Sequence, residues 1–190
     1  MRITYRNKGV DKYWHERWHD LKVDNEMSAI NDYPLKYAIK CIEKKNSKIL
    51  EAGCGNGRIL RYFHNRGYDI YGFDYIESAI TKLKKVDSSL RVTQQNILKS
   101  SFSNEFFDYI LSFGLYHNFK MKNLQTAFKE THRILKHNGK LCLSFRADNF
   151  QNYLNDYSVN LKTTHNKNFH KLNLKKRELL NLLFESKFEV

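Results

Sequence analysis

Along residues 48–145 the apolar positions switch repeatedly between short runs and a helical spacing. Ile49-Leu50-Glu51-Ala52, Ile70-Tyr71-Gly72-Phe73-Asp74, Leu90-Arg91-Val92-Thr93, Phe106 to Phe113 and Leu141 to Ser144 are short apolar runs that predict strands. Between them, Ile76 to Val86 and then Leu124, Ala127, Phe128, Thr131, Ile134 and Leu135 have the spacing of one buried helical face. Strands alternating with helices predict an α/β fold around a parallel sheet. Ahead of this core, Trp14, Trp18 and Leu21 share a face of a first helix, and Leu35, Ala38, Ile39 and Ile42 a face of a second, with Asp32 and Pro34 as start signals. Behind it, Leu179, Leu180, Leu183 and Phe184 order a last helix from about Leu174 to Ser186.

The first strand runs into Gly53-Cys54-Gly55-Asn56-Gly57, followed by a helical pattern. Glycine belongs there because a Cβ would block a ligand's close approach or forbid the turn, and the helix that follows turns backbone N–H groups and its positive end toward that ligand. Asp74 ends the second strand, close to the roughly 20 residues beyond the first glycine that place a carboxylate on ribose hydroxyls. Loop and acid together predict a nucleotide-type cofactor. The spacing is G-x-G-x-G, not the G-x-G-x-x-G of dinucleotide folds. Glu51, just ahead of it, would repel a pyrophosphate but accept hydrogen bonds from a cationic amino-acid group. An NAD-linked oxidoreductase is thereby disfavoured, and the sequence has no recognisable hydride-transfer constellation.

On these residues the chain resembles the class I S-adenosylmethionine (SAM) dependent methyltransferases, most closely the type 11 or type 25 methyltransferase-domain group, whose first motif is an apolar pair, an acid and G-x-G-x-G. The resemblance continues in order across residues 48–145. Gln95-Asn96-Ile97 stands where the family has an acid or amide and then an apolar residue at the adenine. Asp108 leads the fourth strand, and Leu135-Lys136-His137-Asn138-Gly139 occupies the place of an L-K-P-G-G turn. Asn96 replaces the commoner aspartate, leaving an acceptor and a donor for the adenine amine edge; Gly139 alone is left as the helix-ending residue. The resemblance implies a Rossmann-like, doubly wound, mostly parallel sheet flanked by helices, with SAM as cofactor. Glu51, Gly53, Gly55 and Gly57 would hold its amino-acid end, Asp74 its ribose, and Ile76, Asn96 and Ile97 its adenine, with Phe113 also in the cofactor site. The first helix resembles the aromatic cap that closes over SAM in many relatives, core packing of its two indoles being the alternative.

At 190 residues and 41% apolar content the chain has material for one core and not two. One domain is expected, with cap helices over 1–46, a SAM-binding core over 47–146, an acceptor-side segment over 147–173, and a last helix with the start of a sixth strand over 174–190. Cys41, Cys54 and Cys142 share no metal or iron–sulfur spacing, which disfavours zinc and radical SAM chemistry. His15 and His19 are at ligand spacing without a third ligand, so no metal is expected. No signal-like segment or membrane-length apolar run is recognisable, and a cytoplasmic protein without membrane contact is the expectation. The net charge of +13 admits a nucleic-acid partner, but the charges are dispersed and the one tight basic run, Lys175-Lys176-Arg177, heads a helix. The fourth strand ends in Ser112-Phe113-Gly114-Leu115, unlike the N-P-P-Y type segment of many relatives that methylate base or amide nitrogens. Nucleic acid is therefore disfavoured and a small-molecule acceptor preferred.

Acceptor chemistry belongs at the carboxyl ends of the fourth and fifth strands. His117 is the candidate base for a hydroxyl acceptor, since imidazole titrates at about pH 6.5; a satisfied histidine lining the loop is the alternative. Arg146 and Asp148 are further catalytic candidates and Asn149 a substrate-binding one, because they follow an apolar strand directly; a helix cap at Asp148 or Asn149 is the alternative. Tyr116 would position SAM or substrate, or merely stack. His170 would close the far side of the pocket, and residues 149–170 would form the acceptor wall. The reaction expected is methyl transfer to a hydroxyl of a metabolite or sugar, the competing class being a non-catalytic SAM-binding or RNA-associated module of the same fold. Lys187-Phe188-Glu189-Val190 resembles the beginning of the family's sixth strand. The C-terminal strand hairpin would then be lacking and the fifth strand left with an unpaired edge, a route to self-association.

Overall fold

The computed structural model describes residues 1–6, 8–23, 27, 33–154 and 168–190. Five of its strands, β2 (Lys48–Ala52), β3 (Asp69–Asp74), β4 (Arg91–Gln94), β5 (Phe107–Phe113) and β6 (Leu135–Ser144), form one sheet in the order β4-β3-β2-β5-β6. Every neighbouring pair is parallel. Helices α3 (Arg58–His64), α4 (Glu77–Val86) and α5 (Met121–Ile134) lie between strands in sequence, as crossover connections require. The strands alternate faces: Ile49, Tyr109 and Leu111 enter a core with Leu60, Phe63 and Leu83. Leu50 and Ile110 enter a second core with Phe128, Ile134 and Leu182. A sheet buried on both faces explains why its strands read as apolar runs. The chain winds outward from β2 to β4 and then from β5 to β6, so connections diverge between β2 and β5 and leave a crevice at their carboxyl ends.

Two helices precede the sheet, α1 (Val10–Asp20) and α2 (Leu35–Cys41), and α6 (Lys176–Glu185) packs at the chain's end. Pro34 is the N-cap of α2 as read; Asp32 lies outside the described residues. A small second sheet went unforeseen, in which β1 (Arg2–Arg6) pairs antiparallel with β7 (Asn168–Asn173). Buried Asn173 donates from Nδ2 to Thr4 Oγ1 at 3.0 Å, and Arg2 Nε donates to Asp148 at 3.1 Å. Residues 1–46 are thus not helices alone.

Two readings at chain turns are corrected. Gly139 does not end α5, which stops at Ile134 and passes straight into β6. The left-handed residue is Asn138 (φ 62°), and Gly139 is needed for space: a Cβ there would come within 2.9 Å of the Lys136 carbonyl. Lys187–Val190 is not a strand. Lys187 adopts φ 68°, its N–H donates to the Phe184 carbonyl and that of Phe188 to the Leu183 carbonyl, the paired bonds of a Schellman helix end. Phe188 then packs edge-on against His132. Among the described residues β6 is paired on one side only, and no helix is long and apolar enough to cross a membrane.

Candidate functional site

A cavity of about 690 Å³ opens at the carboxyl ends of β2, β3 and β5, within the range of small-molecule sites. Its floor is the glycine loop. Gly53 and Cys54 donate their N–H groups to the Phe73 carbonyl, which fixes the loop against β3. Gly53, Gly55 and Gly57 all have positive φ (72°, 49° and 63°). Gly55 is constrained twice, because a Cβ would also stand 2.5 Å from the Trp18 ring.

Asp74 closes the loop from the opposite strand. Its Oδ2 accepts from Gly55 N–H at 2.9 Å and its Oδ1 from Ile76 N–H at 3.0 Å. Burial raises the carboxyl above its ordinary range, and these backbone donors pull it back. Each oxygen keeps a lone pair for a ligand hydroxyl. Glu51 is deeper: its Oε2 accepts from Leu60 N–H at 2.8 Å, and burial, aided by the Asp74 charge, pushes its carboxyl up to about 8. Ile76 and Ile97 are buried in the wall and Phe113 half-buried beside them. Asn96 also lines the cavity, but its Oδ1 already accepts from Leu98 N–H at 2.9 Å. That oxygen keeps its second lone pair, so Asn96 still has an acceptor and, in Nδ2, a donor to offer.

Helix α1 roofs the cavity. Trp14 and Trp18 stack with ring centroids 5.6 Å apart, and both line it. The helix is held down by Lys82 of α4, whose ammonium donates to the carbonyls of Trp18, His19 and Leu21 at 2.7, 2.5 and 2.6 Å. Three donors meet three carbonyls at a helix end that has no intrahelical partners for them. Nothing in the sequence marks this lysine among many.

The acceptor-side candidates are placed less as expected. Tyr116 is fully buried, its hydroxyl 2.7 Å from Thr131 Oγ1 and its ring against Phe128; it belongs to the core and not to the cavity lining. Asp148 is bound to Arg2 and lies 3.6 Å from the N-terminal ammonium, so it anchors β1. Arg146 pairs through its carbonyl with Leu174 N–H and does not line the cavity. Asn149 is exposed, its Oδ1 capping the turn at Asn152 N–H. His170 is fully buried beneath Tyr13; its strand neighbour Phe169 lines the cavity instead. His117 stands behind the lining, its Cε1 3.9 Å from where a Gly114 Cβ would be. Burial, then the charges of Lys171 and Arg146, lower it to about 3, so it is a neutral imidazole at neutral pH. Of the acceptor wall over 149–170, residues 155–167 lie outside the described residues.

Two residues the sequence reading passed over complete the lining. Asn56 donates from Nδ2 to the Lys22 carbonyl, and Asn118 from Nδ2 to the carbonyls of Gly114 and Leu115. The Oδ1 of each is buried without a hydrogen-bond partner among the described residues. Buried acceptors beside a cavity call for a donor, and an ammonium, hydroxyls and an adenine amine would supply donors. The cradle, Asp74 and these two oxygens fit SAM. Among the described residues no three His, Cys, Asp or Glu side chains are grouped to hold a metal; His15 meets Tyr75 and His19 meets Asp20.

Comparison with known proteins agrees with this geometry. An uncharacterised methyltransferase of Schizosaccharomyces pombe is 35% identical over 80 residues, 40% of this chain and 54% of that protein. A thiopurine S-methyltransferase of Shewanella baltica is 24% identical over 85 residues, 45% of this chain and 38% of that one. The chain thus aligns with about half or less of these relatives' lengths. The fold of a SAM-dependent methyltransferase from Methanosarcina mazei superposes with a TM-score of 0.68 at 22% identity, over 83% of this chain and 85% of that one. The model of the methyltransferase domain family matches residues 50–143. That match starts within β2 and ends within β6, enclosing the glycine cradle, Asp74 and Asn96, and it identifies this segment as a methyltransferase domain, on a Rossmann-like scaffold whose cofactor is SAM.

Proposed function

We propose that the chain transfers the SAM methyl group to a hydroxyl of a small-molecule acceptor, a metabolite or sugar. The observation that carries cofactor binding is the Asp74 carboxylate, bridging Gly55 and Ile76 N–H groups beside a glycine loop whose three glycines all take positive φ. SAM supplies an activated methyl on a sulfonium. The protein has to align an acceptor oxygen with it and keep water out. The Trp14 and Trp18 roof serves the second task. Transfer to a hydroxyl would leave the bonding pair on sulfur and set free the hydroxyl proton, which has to go elsewhere. An alkylated oxygen is far more acidic than its parent alcohol, so a weak base suffices once the methyl has arrived. His117, neutral and separated from the cavity by Gly114, is assigned that proton, with Arg146 acting on it through charge. A cytoplasmic setting, and self-association through the outer edge of β6, belong to the same reading.

Titration calorimetry tests the cofactor, and release of S-adenosylhomocysteine with a panel of hydroxylated acceptors tests the transfer. Micromolar binding of SAM and S-adenosylhomocysteine without NAD binding, followed by turnover, is the expected result. Binding with no turnover on any acceptor class would instead favour a SAM-binding module without chemistry, and no binding by folded protein would overturn the reading. Lys82→Met keeps the aliphatic stem and removes all three bonds to α1. SAM is expected to bind it about tenfold more weakly, the scale of a charged hydrogen-bond set that is partly solvated. Its melting temperature should barely move. Wild-type affinity in this variant would remove Lys82 from the site.

A further inference from the structure

Sequence position makes Cys54 and Cys142 small packing residues rather than nucleophiles, but the structure does not treat the cysteines alike. Cys54 is buried in the glycine loop. Cys41 ends α2 and Cys142 lies in β6, far apart in sequence, yet both open onto one groove and each thiol acts on the other's titration. Cys142 Sγ also lies 3.8 Å from the Tyr37 carbonyl oxygen, and Tyr37 precedes Cys41 by one turn on the same face of α2. Both thiols are free and half-buried. Both line a second groove along the outer edge of β6, whose rim carries the half-exposed Lys140. The neighbouring Cys41 thiol holds Cys142 below the ordinary thiol range against the effect of burial, while Cys142 and burial together raise Cys41. One sulfur is thus prepared to attack and the other to follow.

We propose that Cys41 and Cys142 are a dithiol modification site that takes small disulfides such as glutathione disulfide and closes reversibly into a protein disulfide. The Cys142 thiolate attacks one sulfur of the small disulfide, forming a mixed disulfide and releasing one thiolate. Cys41 then loses its proton and attacks the Cys142 sulfur, releasing the second. The two protein thiols give up two electrons and two protons, and the oxidant leaves as two thiols. The bond would enclose the chain from β2 to β5, with the whole glycine cradle and Asp74 inside the loop. It would also tie α2, which starts beside the cavity-lining Pro34, to the edge of the sheet.

The test is exposure of the intact protein to glutathione disulfide, read by whole-protein mass and by peptide mapping without reduction. Wild-type protein is expected to lose the mass of two hydrogens, to yield a linked Cys41–Cys142 peptide, to keep no glutathione, and to revert with excess thiol. Its melting temperature should rise by roughly 5–10 °C, as for a long loop closed in a domain of this size. Cys41→Ser lacks the second thiol and is expected to trap a stable glutathione adduct on Cys142, while Cys142→Ser should react much more slowly. A stable adduct on the wild type, a linkage involving Cys54, or thiols that stay free in folded protein under excess oxidant would each overturn the proposal.

Discussion

Asp74→Ala is expected to weaken SAM binding at least about 100-fold, more than any other single side-chain truncation in the cavity. Two effects add. The ribose loses its acceptor, and the Gly55 and Ile76 N–H groups lose the carboxylate oxygens that accept from them. A buried donor left unpaired costs about 1–3 kcal/mol, and here one of the two sits in the cradle itself. The glycine loop would then have to move to find other partners, taking the Trp18 contact on Gly55 with it. Asp74→Asn separates the contributions. The amide keeps one acceptor and faces the other N–H with a donor, so it should bind between wild type and alanine while melting closer to wild type. Calorimetry with SAM and S-adenosylhomocysteine, alongside a thermal melt, measures both. Alanine binding within about threefold of wild type would mean that the carboxylate serves the loop and not the ligand.

The sheet and the glycine loop were legible because local sequence specifies them. Strands buried on both faces show as apolar runs, and the glycines sit where the backbone takes positive φ. The acceptor side depends on pairings that sequence spacing does not announce. β1 meets β7 across nearly the whole chain, and only that pairing gives Asp148 to Arg2. The sequence does not mark β7 as a strand, so no parity tells that Phe169 lines the cavity and His170 points into the core. Asn138 shows a different limit. Asparagine tolerates the left-handed conformation, so the glycine beside it could be there for another reason, here the proximity of the Lys136 carbonyl. Lys82 acts through its position on α4 under the end of α1, a relation that exists only once both helices are docked.

Between pH 6 and 7.5 the wild type should bind SAM progressively more tightly, and Glu51→Gln should not. Burial holds the Glu51 carboxyl at about 8 against an ordinary 4.5, so the ligand-free protein carries it mostly protonated at neutral pH. A folded-state value raised in this way contributes stability that is fully present below about pH 4.5 and is lost as pH rises through about 8. The full loss is on the order of 5 kcal/mol. Glu51→Gln removes it, so the variant's melting temperature should exceed the wild type's by a margin that grows toward pH 9. A cation inverts the balance: if the ammonium of SAM settles beside Glu51, the ionised carboxylate is stabilised and a proton leaves on binding. Affinity then gains up to about tenfold per pH unit below the folded-state value, roughly thirtyfold over this window. Calorimetry in buffers of different ionisation heat should show proton release by wild type at pH 7 and markedly less by the variant. The comparison also cancels the cofactor's own α-amino group, which titrates at about 7.7–8.0, and any contribution from Asp74, since both are common to the two proteins. Parallel pH profiles for wild type and variant would place the ammonium elsewhere, with the partnerless Asn56 and Asn118 oxygens as the acceptors next in line.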